Sequence, residues 1–314
     1  MTGLDRSFER HPLCSMEVGR VKPASPWISK SLAICEAVAW TVAYLVGQGL
    51  VLLLLLALML TACYGFNWPD PEEMISLFLV LELDRSFMLV GATSLGVLFV
   101  IIPLIRLREG RNYRNRIGWR TPTREEWIFS LATVAPIAMI GDLVFETARS
   151  VSLMTSSSLP FAAALRETSL QHLYSTLDGV SFPVLVVALA LGPAIGEELI
   201  FRGVIGRRLV GTLGPAWGVA LTSICFAAAH GSWSHAVATI PVAILLHWLY
   251  LQTRTIWVPI AVHFCNNLLA LSMFRLSLTT ESVVSPLLAS VLSIYLIGIL
   301  LLLKTRIRPM VATT

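Results

Sequence analysis

Long apolar runs are the feature that most constrains the fold of this chain. A membrane crossing takes about 20 predominantly apolar residues, and such segments recur throughout the 314 residues. We place eight of them, at approximately 33–63, 87–105, 127–147, 181–210, 215–232, 236–252, 255–275 and 284–303. The sequence therefore predicts an all-α fold, a polytopic bundle of about eight transmembrane helices.

Composition excludes several other classes of protein. The chain is 56% hydrophobic and 13% charged, whereas soluble domains average about 45–50% apolar and about 25% charged residues, so disorder is excluded. The five cysteines are few, odd in number and mostly inside apolar runs, which indicates reduced packing residues. The formal net charge is +4, but the basic residues are not gathered beside aromatic residues on a soluble face, so we expect no nucleic-acid partner.

The distribution of Lys and Arg predicts the orientation of the helices. Cytoplasmic flanks of membrane helices carry an excess of these residues, and most of the 23 fall on one set of alternate loops, including the Arg-rich loop at 106–124. Topogenic charge explains that loop with fewer assumptions than contact with nucleic acid or anionic lipid. We expect both termini in the cytoplasm of an integral, multi-pass protein, in the plasma (inner) membrane if the source is bacterial.

Three polar clusters interrupt the apolar pattern. An ionisable side chain in the hydrocarbon costs about 2.5–3.5 kcal/mol on insertion scales, and such residues commonly mark functional sites. Glu198 and Arg202 are four apart on a predicted helix and can form an ion pair on one face. Glu197 then points elsewhere without a partner on its own helix, which suits a general base. The alternative is that both glutamates are structural and pair with Arg202 and a neighbouring helix.

The three clusters are predicted to lie at overlapping depths in the membrane. Glu197 precedes Thr212 by 15 residues and His230 follows Pro215 by 15, so each is about 22 Å from the turn between their helices. His263 and Asn267 share a face of a later span. Isolated polar groups are strongly disfavoured at such depths, so we expect one shared, water-filled cavity.

These clusters also carry a resemblance. The order Glu-Glu-x-x-x-Arg, Phe-x-x-x-His and His-x-x-x-Asn over about residues 181–275 resembles the CPBP family of intramembrane endopeptidases, which includes CAAX prenyl proteases and bacteriocin-processing or immunity proteins. The resemblance implies a peptide-bond hydrolase in which the first glutamate and first histidine activate water, and the later histidine and asparagine stabilise the oxyanion. The motif maps onto catalytic residues Glu197, His230, His263 and Asn267, supported by Glu198, Arg202 and Phe226.

Residue chemistry is compatible with these roles and leaves one alternative mechanism. Glu197 with His230 would deprotonate water, while His263 and Asn267 would donate hydrogen bonds to the developing charge. Alternatively, Zn²⁺ would bind a glutamate (Glu197 or Glu198) with His230 and His263. No His-Glu-x-x-His motif is present, and neutral donors explain Asn267 better than a metal site does. We therefore favour a glutamate-type peptidase without a metal or other cofactor.

The chain divides into three predicted regions. Residues 1–180 form an N-terminal extension with three spans, residues 181–275 form the CPBP-like catalytic core of four spans, and residues 276–314 form the last span and a basic tail. The expected partners are the lipid bilayer and a membrane-anchored peptide or protein substrate. Outside the motifs, we expect His247 to bond a neighbouring helix, with lining of the cavity as the alternative, and His235 and Glu36 to be interfacial polar residues.

Two other functions remain open at this stage. A proton-coupled transporter would use Glu197, His230 and His263 as a proton relay. It would be expected to show paired repeats or several broken helices, and the sequence shows neither. A catalytically silent binding or immunity protein would use the same cavity and would tolerate conservative changes at the motif residues.

Overall fold

Helices account for the fold wherever the structure describes the chain. The computed structural model describes residues 26–65, 70, 98–108, 110–156, 181–230, 232–276 and 286–306, and contains no strand among them. This confirms the all-α prediction for those residues. The helices are α1 (Pro26–Tyr64), α2 (98–108), α3 (Tyr113–Ile117), α4 (Arg124–Leu131), α5 (Val134–Ser156), α6 (Phe182–Leu213), α7 (Pro215–Ala228), α8 (Trp233–Thr253), α9 (Trp257–Arg275) and α10 (Pro286–Arg306).

Five stretches are long and apolar enough to cross a membrane. They are Ile28–Ala62, Arg124–Ser152, Phe182–Leu213, Trp233–Thr253 and Trp257–Arg275, and two shorter apolar helices cover Pro215–Ala228 and Ser290–Thr305. Large side chains on α1 are exposed, with Leu32, Leu50 and Leu53 each at 60% or more. Lipid is the solvent that suits such a surface. The chain is an integral membrane protein, but the count of eight spans is not confirmed, and 87–97 lies outside the described residues.

Helix α6 stays continuous through Gly192 and Pro193, although a proline inside a helix usually kinks or breaks it. Two π-helical segments, Val186–Leu191 and Phe201–Gly206, flank the α-helical stretch Gly192–Ile200. Proline lacks a backbone N–H and its ring crowds the carbonyl four residues earlier. The wider π turn before Pro193 relieves that crowding, so the helix continues and carries Glu197 and Glu198 in its middle.

A close hairpin joins α6 to α7. Gly214 connects the two helices with φ of +83°, in the left-handed region that glycine adopts without strain. At Gly218 the helices nearly touch, since a Cβ added there would lie 2.5 Å from the Val210 backbone. The 14 residues of α7 extend about 21 Å, less than a bilayer core, so its far end at Ala228 carries His230 to an intermediate depth.

Hydrogen bonds also hold the core together at the turn between α8 and α9. Ile256 N donates to Gly118 O at 2.9 Å, and the Tyr250 hydroxyl donates to Ile117 O at 2.9 Å. Arg120 bonds both the Glu126 carboxylate and the Thr253 carbonyl. These bonds fix the turn between α8 and α9 against the segment before α4, and α9 packs on both α6 and α5. The helix that carries His263 and Asn267 is thereby positioned from its N-terminal end.

Replacing Gly218 with Ala tests the close approach of α6 and α7. The added methyl group meets backbone atoms that cannot rotate away, so we expect destabilisation of about 1–3 kcal/mol, typical of overpacking. Thermal unfolding of the purified protein in detergent measures it. The matched control is Gly211→Ala on α6, where an added Cβ has no atom within 4 Å. Equal unfolding temperatures for the two variants would contradict the close packing.

Candidate active site

The Glu198 carboxylate is the centre of a buried polar network. Its Oε1 accepts a hydrogen bond from Arg202 Nη1 at 2.8 Å and lies 2.8 Å from His263 Nδ1. Glu198 and Arg202 are 0% and 1% exposed. Their spacing of four residues on one helix forms the ion pair that the sequence predicts, and His263 adds a contact from α9. One carboxylate therefore fixes a guanidinium and an imidazole ring together.

Arg202 extends this network to two further helices. Its Nη2 donates to the Ala243 carbonyl on α8 at 3.1 Å. Its guanidinium also lies over the Phe226 ring of α7, 4.6 Å from the centroid, within the range of a cation–π contact. Phe226 is 1% exposed and packs edge-on against Phe201 with centroids 5.1 Å apart. Together with His263 of α9, which contacts Glu198, these contacts join four helices in one network.

Glu197 lies on a different side of α6 from the ion pair. Its Oε2 is 4.0 Å from His263 Nε2, which is beyond hydrogen-bond length. This oxygen is buried and has no hydrogen-bond partner among the described residues. Because Glu198 holds His263 by Nδ1, the other ring nitrogen is turned toward Glu197. The two catalytic candidates face each other across a gap that one water molecule can bridge.

His230 is placed by the end of α7. Its Nδ1 lies 2.8 Å from the Phe226 carbonyl, and since a carbonyl only accepts hydrogen bonds, Nδ1 carries the proton. In the neutral ring Nε2 then has a free lone pair and can accept a proton. The His230 and Phe226 rings are 4.7 Å apart. No hydrogen bond links His230 to Glu197 within the described part of the chain.

Asn267 is oriented by an irregularity of α6. Pro193 has no N–H, so the Leu189 carbonyl lacks its usual α-helical donor. Asn267 Nδ2 donates to that carbonyl at 3.3 Å, and Asn266 Nδ2 lies 3.5 Å from Asn267 Oδ1. The Asn267 amide retains a second N–H. It lies one turn beyond His263 on α9, on the face that packs against α6.

Two histidines outside the motifs have different surroundings in the structure. The His235 ring lies 4.8 Å from the His230 ring in an edge contact, although the sequence places it only near the interface. The sequence feature that could have predicted this contact is the position of His235 five residues after His230. His247 is fully buried, and its ring lies where a Cβ on Gly206 would be, 2.2 Å from Cε1. Neither ring nitrogen has a hydrogen-bond partner among the described residues, so the expected bond to a neighbouring helix is not seen and the ring packs against Gly206 instead.

The zinc alternative requires three ligands at one point. His263 Nε2 and Glu197 Oε2, 4.0 Å apart, come close to one another. Across the described ranges, no group of three or more His, Cys, Asp or Glu side chains is placed to hold a metal ion.

The fold and the site together define a class, a helical integral membrane protein with a buried carboxylate, imidazole and carboxamide centre. Residues 179–269 match the family model described as type II CAAX prenyl endopeptidase, Rce1-like. This agrees with the resemblance carried by the three motifs, all of which lie inside the matched segment. The match indicates a peptidase, in general terms an intramembrane endopeptidase. No curated protein and no solved structure matches the chain.

Removing the Arg202 charge tests whether the network is held by charge pairing. Arg202→Met leaves Glu198 buried with a single partner, and we expect destabilisation of about 3–5 kcal/mol. The double variant Glu198→Gln with Arg202→Met removes both charges and should recover part of that loss. Thermal unfolding of the four proteins gives the double-mutant cycle. A wild-type unfolding temperature for Arg202→Met would contradict the pairing.

Proposed function

We propose that this protein is a glutamate-type intramembrane endopeptidase that hydrolyses a peptide bond of a membrane-anchored peptide or protein. The observation that carries the proposal is the orientation of His263. Glu198 binds one nitrogen of its ring, and the other nitrogen faces the Glu197 carboxylate at 4.0 Å. A base and a hydrogen-bonding group thus lie close enough for both to contact the same water molecule.

The first chemical step is attack by water on the peptide carbonyl carbon. Glu197 Oε2 accepts a proton from the water as the new C–O bond forms. His230 assists as a second base through Nε2, because its Nδ1 is committed to the Phe226 carbonyl. The C–N bond then breaks, and the proton held by Glu197 or His230 passes to the leaving nitrogen. The products are a carboxyl group and an amine.

The tetrahedral intermediate requires donors for its oxyanion. Asn267 supplies the N–H that is not bonded to Leu189. His263 can donate from Nε2 when its ring is an imidazolium, the form in which both ring nitrogens carry a proton. With that imidazolium the four groups Glu197, Glu198, Arg202 and His263 sum to zero net charge. This balance suits a buried cluster, because an unpaired buried ion is costly.

The substrate proposal follows from the location of the site. A centre carried by apolar helices is reached most directly by a substrate that is itself held in the membrane. The matched family is named for CAAX prenyl endopeptidases, so a prenylated C-terminal peptide is the first probe. A secreted peptide precursor and a C-terminal sorting tail are the other substrate types consistent with this access.

The organisation of the whole chain completes the proposal. It comprises eight spans with both termini in the cytoplasm, an N-terminal extension at 1–180, a catalytic core at 181–275 and a last span with a basic tail at 276–314. The basic loops support the orientation. The plasma membrane is the proposed location for a bacterial source.

Substituting the two proton acceptors tests the assignment. We expect Glu197→Gln and His230→Ala each to abolish cleavage of a farnesylated CAAX peptide in proteoliposomes, since neither variant can activate water normally. Mass spectrometry of the released fragment measures the reaction. The matched control Glu125→Gln, at an exposed position outside the core, should retain full activity. Wild-type cleavage by Glu197→Gln would exclude this mechanism, whereas no cleavage by the unsubstituted protein would favour a transporter or a silent binding protein.

Chelation separates the glutamate mechanism from the zinc alternative. The proposed mechanism uses only side chains, so prolonged treatment with a strong chelator should leave the cleavage rate unchanged. The measurement is the initial rate before and after dialysis against the chelator, with a zinc peptidase treated in parallel. A loss of activity that added Zn²⁺ restores would contradict the metal-free mechanism.

A further inference from the structure

Ser232 links the motif that contains His230 to the start of α8. It is the N-cap residue of α8, and its hydroxyl oxygen accepts a hydrogen bond from the His235 backbone N–H at 3.3 Å. Serine is favoured at this position because it satisfies one of the N–H groups that the first helical turn leaves without a partner. The backbone N–H of Ser232 donates to the His230 carbonyl at 2.9 Å. Ser232 is therefore bonded to both histidines.

The imidazole rings of His230 and His235 contact each other beside this link. Their centroids are 4.8 Å apart and their planes are inclined by 82°, which is the edge-to-face geometry that aromatic rings prefer. His235 is the third residue of α8, so its backbone is fixed by the first turn of the helix. The Glu197 carboxylate of α6 also interacts electrostatically with His235. His235 therefore lies close to the candidate active site.

The His230 ring keeps one motion that its own hydrogen bond does not stop. Cβ joins the ring to the backbone, and the contact of Nδ1 with the Phe226 carbonyl at 2.8 Å restrains a second atom. The ring can still swing about the line through these two atoms, and that motion moves Nε2. The Phe226 ring, 4.7 Å away, restricts the motion from the same segment of the chain. His235 adds a ring contact from a second helix.

We propose that His235 is a positioning residue for His230, whose ring contact keeps His230 Nε2 directed toward the substrate. This role rests on the peptidase function proposed above, because it acts through the nitrogen that accepts a proton in that reaction. A small displacement of a catalytic group lowers turnover substantially. The role belongs to the ring of His235 and not to its protons, so a phenyl ring replaces it and a methyl group does not.

The position of His235 allows its role to be separated from folding. The side chain is exposed, so its removal leaves no buried cavity to destabilise the bundle. The hydrogen bond to the Ser232 hydroxyl uses only the backbone N–H of His235, and a substitution of the side chain retains it. Variants at His235 should therefore unfold at the same temperature as the unsubstituted protein.

Cleavage of a farnesylated CAAX peptide in proteoliposomes tests the positioning role. We expect His235→Ala to lower kcat about tenfold and to change KM less than twofold, because the ring contact acts on His230 and not on the bound peptide. His235→Phe should retain at least about half of the kcat, since it keeps an edge-to-face ring contact. The matched control Trp233→Ala removes an exposed aromatic side chain from the same helical turn, and its kcat should change less than twofold.

NMR of the protein labelled with ¹⁵N-histidine, in lipid nanodiscs, gives a readout that does not depend on catalysis. The bond to the Phe226 carbonyl predicts the Nδ1–H tautomer for His230, and ring nitrogen shifts distinguish the tautomers. We expect one sharp set of His230 signals in the unsubstituted protein and in His235→Phe. In His235→Ala the ring samples several orientations, so the signals should broaden or double. The spectrum of His230→Gln assigns them.

The two measurements distinguish failure of this role from failure of the peptidase function. If the unsubstituted protein does not cleave the peptide, the peptidase function is wrong, and the NMR comparison still decides whether His235 orients the His230 ring. Unchanged His230 signals in His235→Ala would overturn the proposal, and so would an unchanged kcat in an active protein. A loss of kcat as large in His235→Phe as in His235→Ala would also overturn it, because the role would then belong to a proton of His235. An equal loss in Trp233→Ala would show a general effect of the start of α8 and would contradict the proposal as well.

Discussion

The ion pair between Glu198 and Arg202 is the interaction on which the rest of the core depends. Two unpaired ions inside an apolar bundle would be prohibitively costly, so their environment must supply further partners. His263 from α9, the Ala243 carbonyl from α8 and the Phe226 ring from α7 supply them. The need to satisfy these two ions therefore brings four helices to one point, and it orients the ring that faces Glu197.

Irregular backbone geometry in α6 also positions side chains of the candidate site. Proline inside a helix leaves one carbonyl without a donor, and in a membrane such a group must find a partner within the protein. At Leu189 the partner is the amide of Asn267, a candidate oxyanion donor. The π-helical turn that accommodates Pro193 thus links helix α6 to α9 at the depth of the site. The short length of α7 places His230 at an intermediate depth as well.

Arginine is used in two different ways in this molecule. Arg202 is fully buried, and its contacts with Glu198, Ala243 and Phe226 make it part of the scaffold. Arg108 and Arg208 are partly exposed, and both form ion pairs with the Glu36 carboxylate. The first arrangement pairs opposite charges inside the bundle, whereas the second ties α2 and α6 to α1 near its surface. The difference between the two is the burial of the groups involved.

Local and periodic features of the sequence predicted the helical class, the membrane location, the pairing of Glu198 with Arg202 and the three motifs. These features depend on neighbours within one or two helical turns, so spacing alone is sufficient. The sequence did not predict the continuity of α6 through Pro193, the contact of His235 with His230 or the bridge from Glu36 to Arg108 and Arg208. Each of those depends on which helices become neighbours and on how closely they approach. Only the packed tertiary structure decides that, because residues distant in the chain have no fixed spacing until the bundle forms.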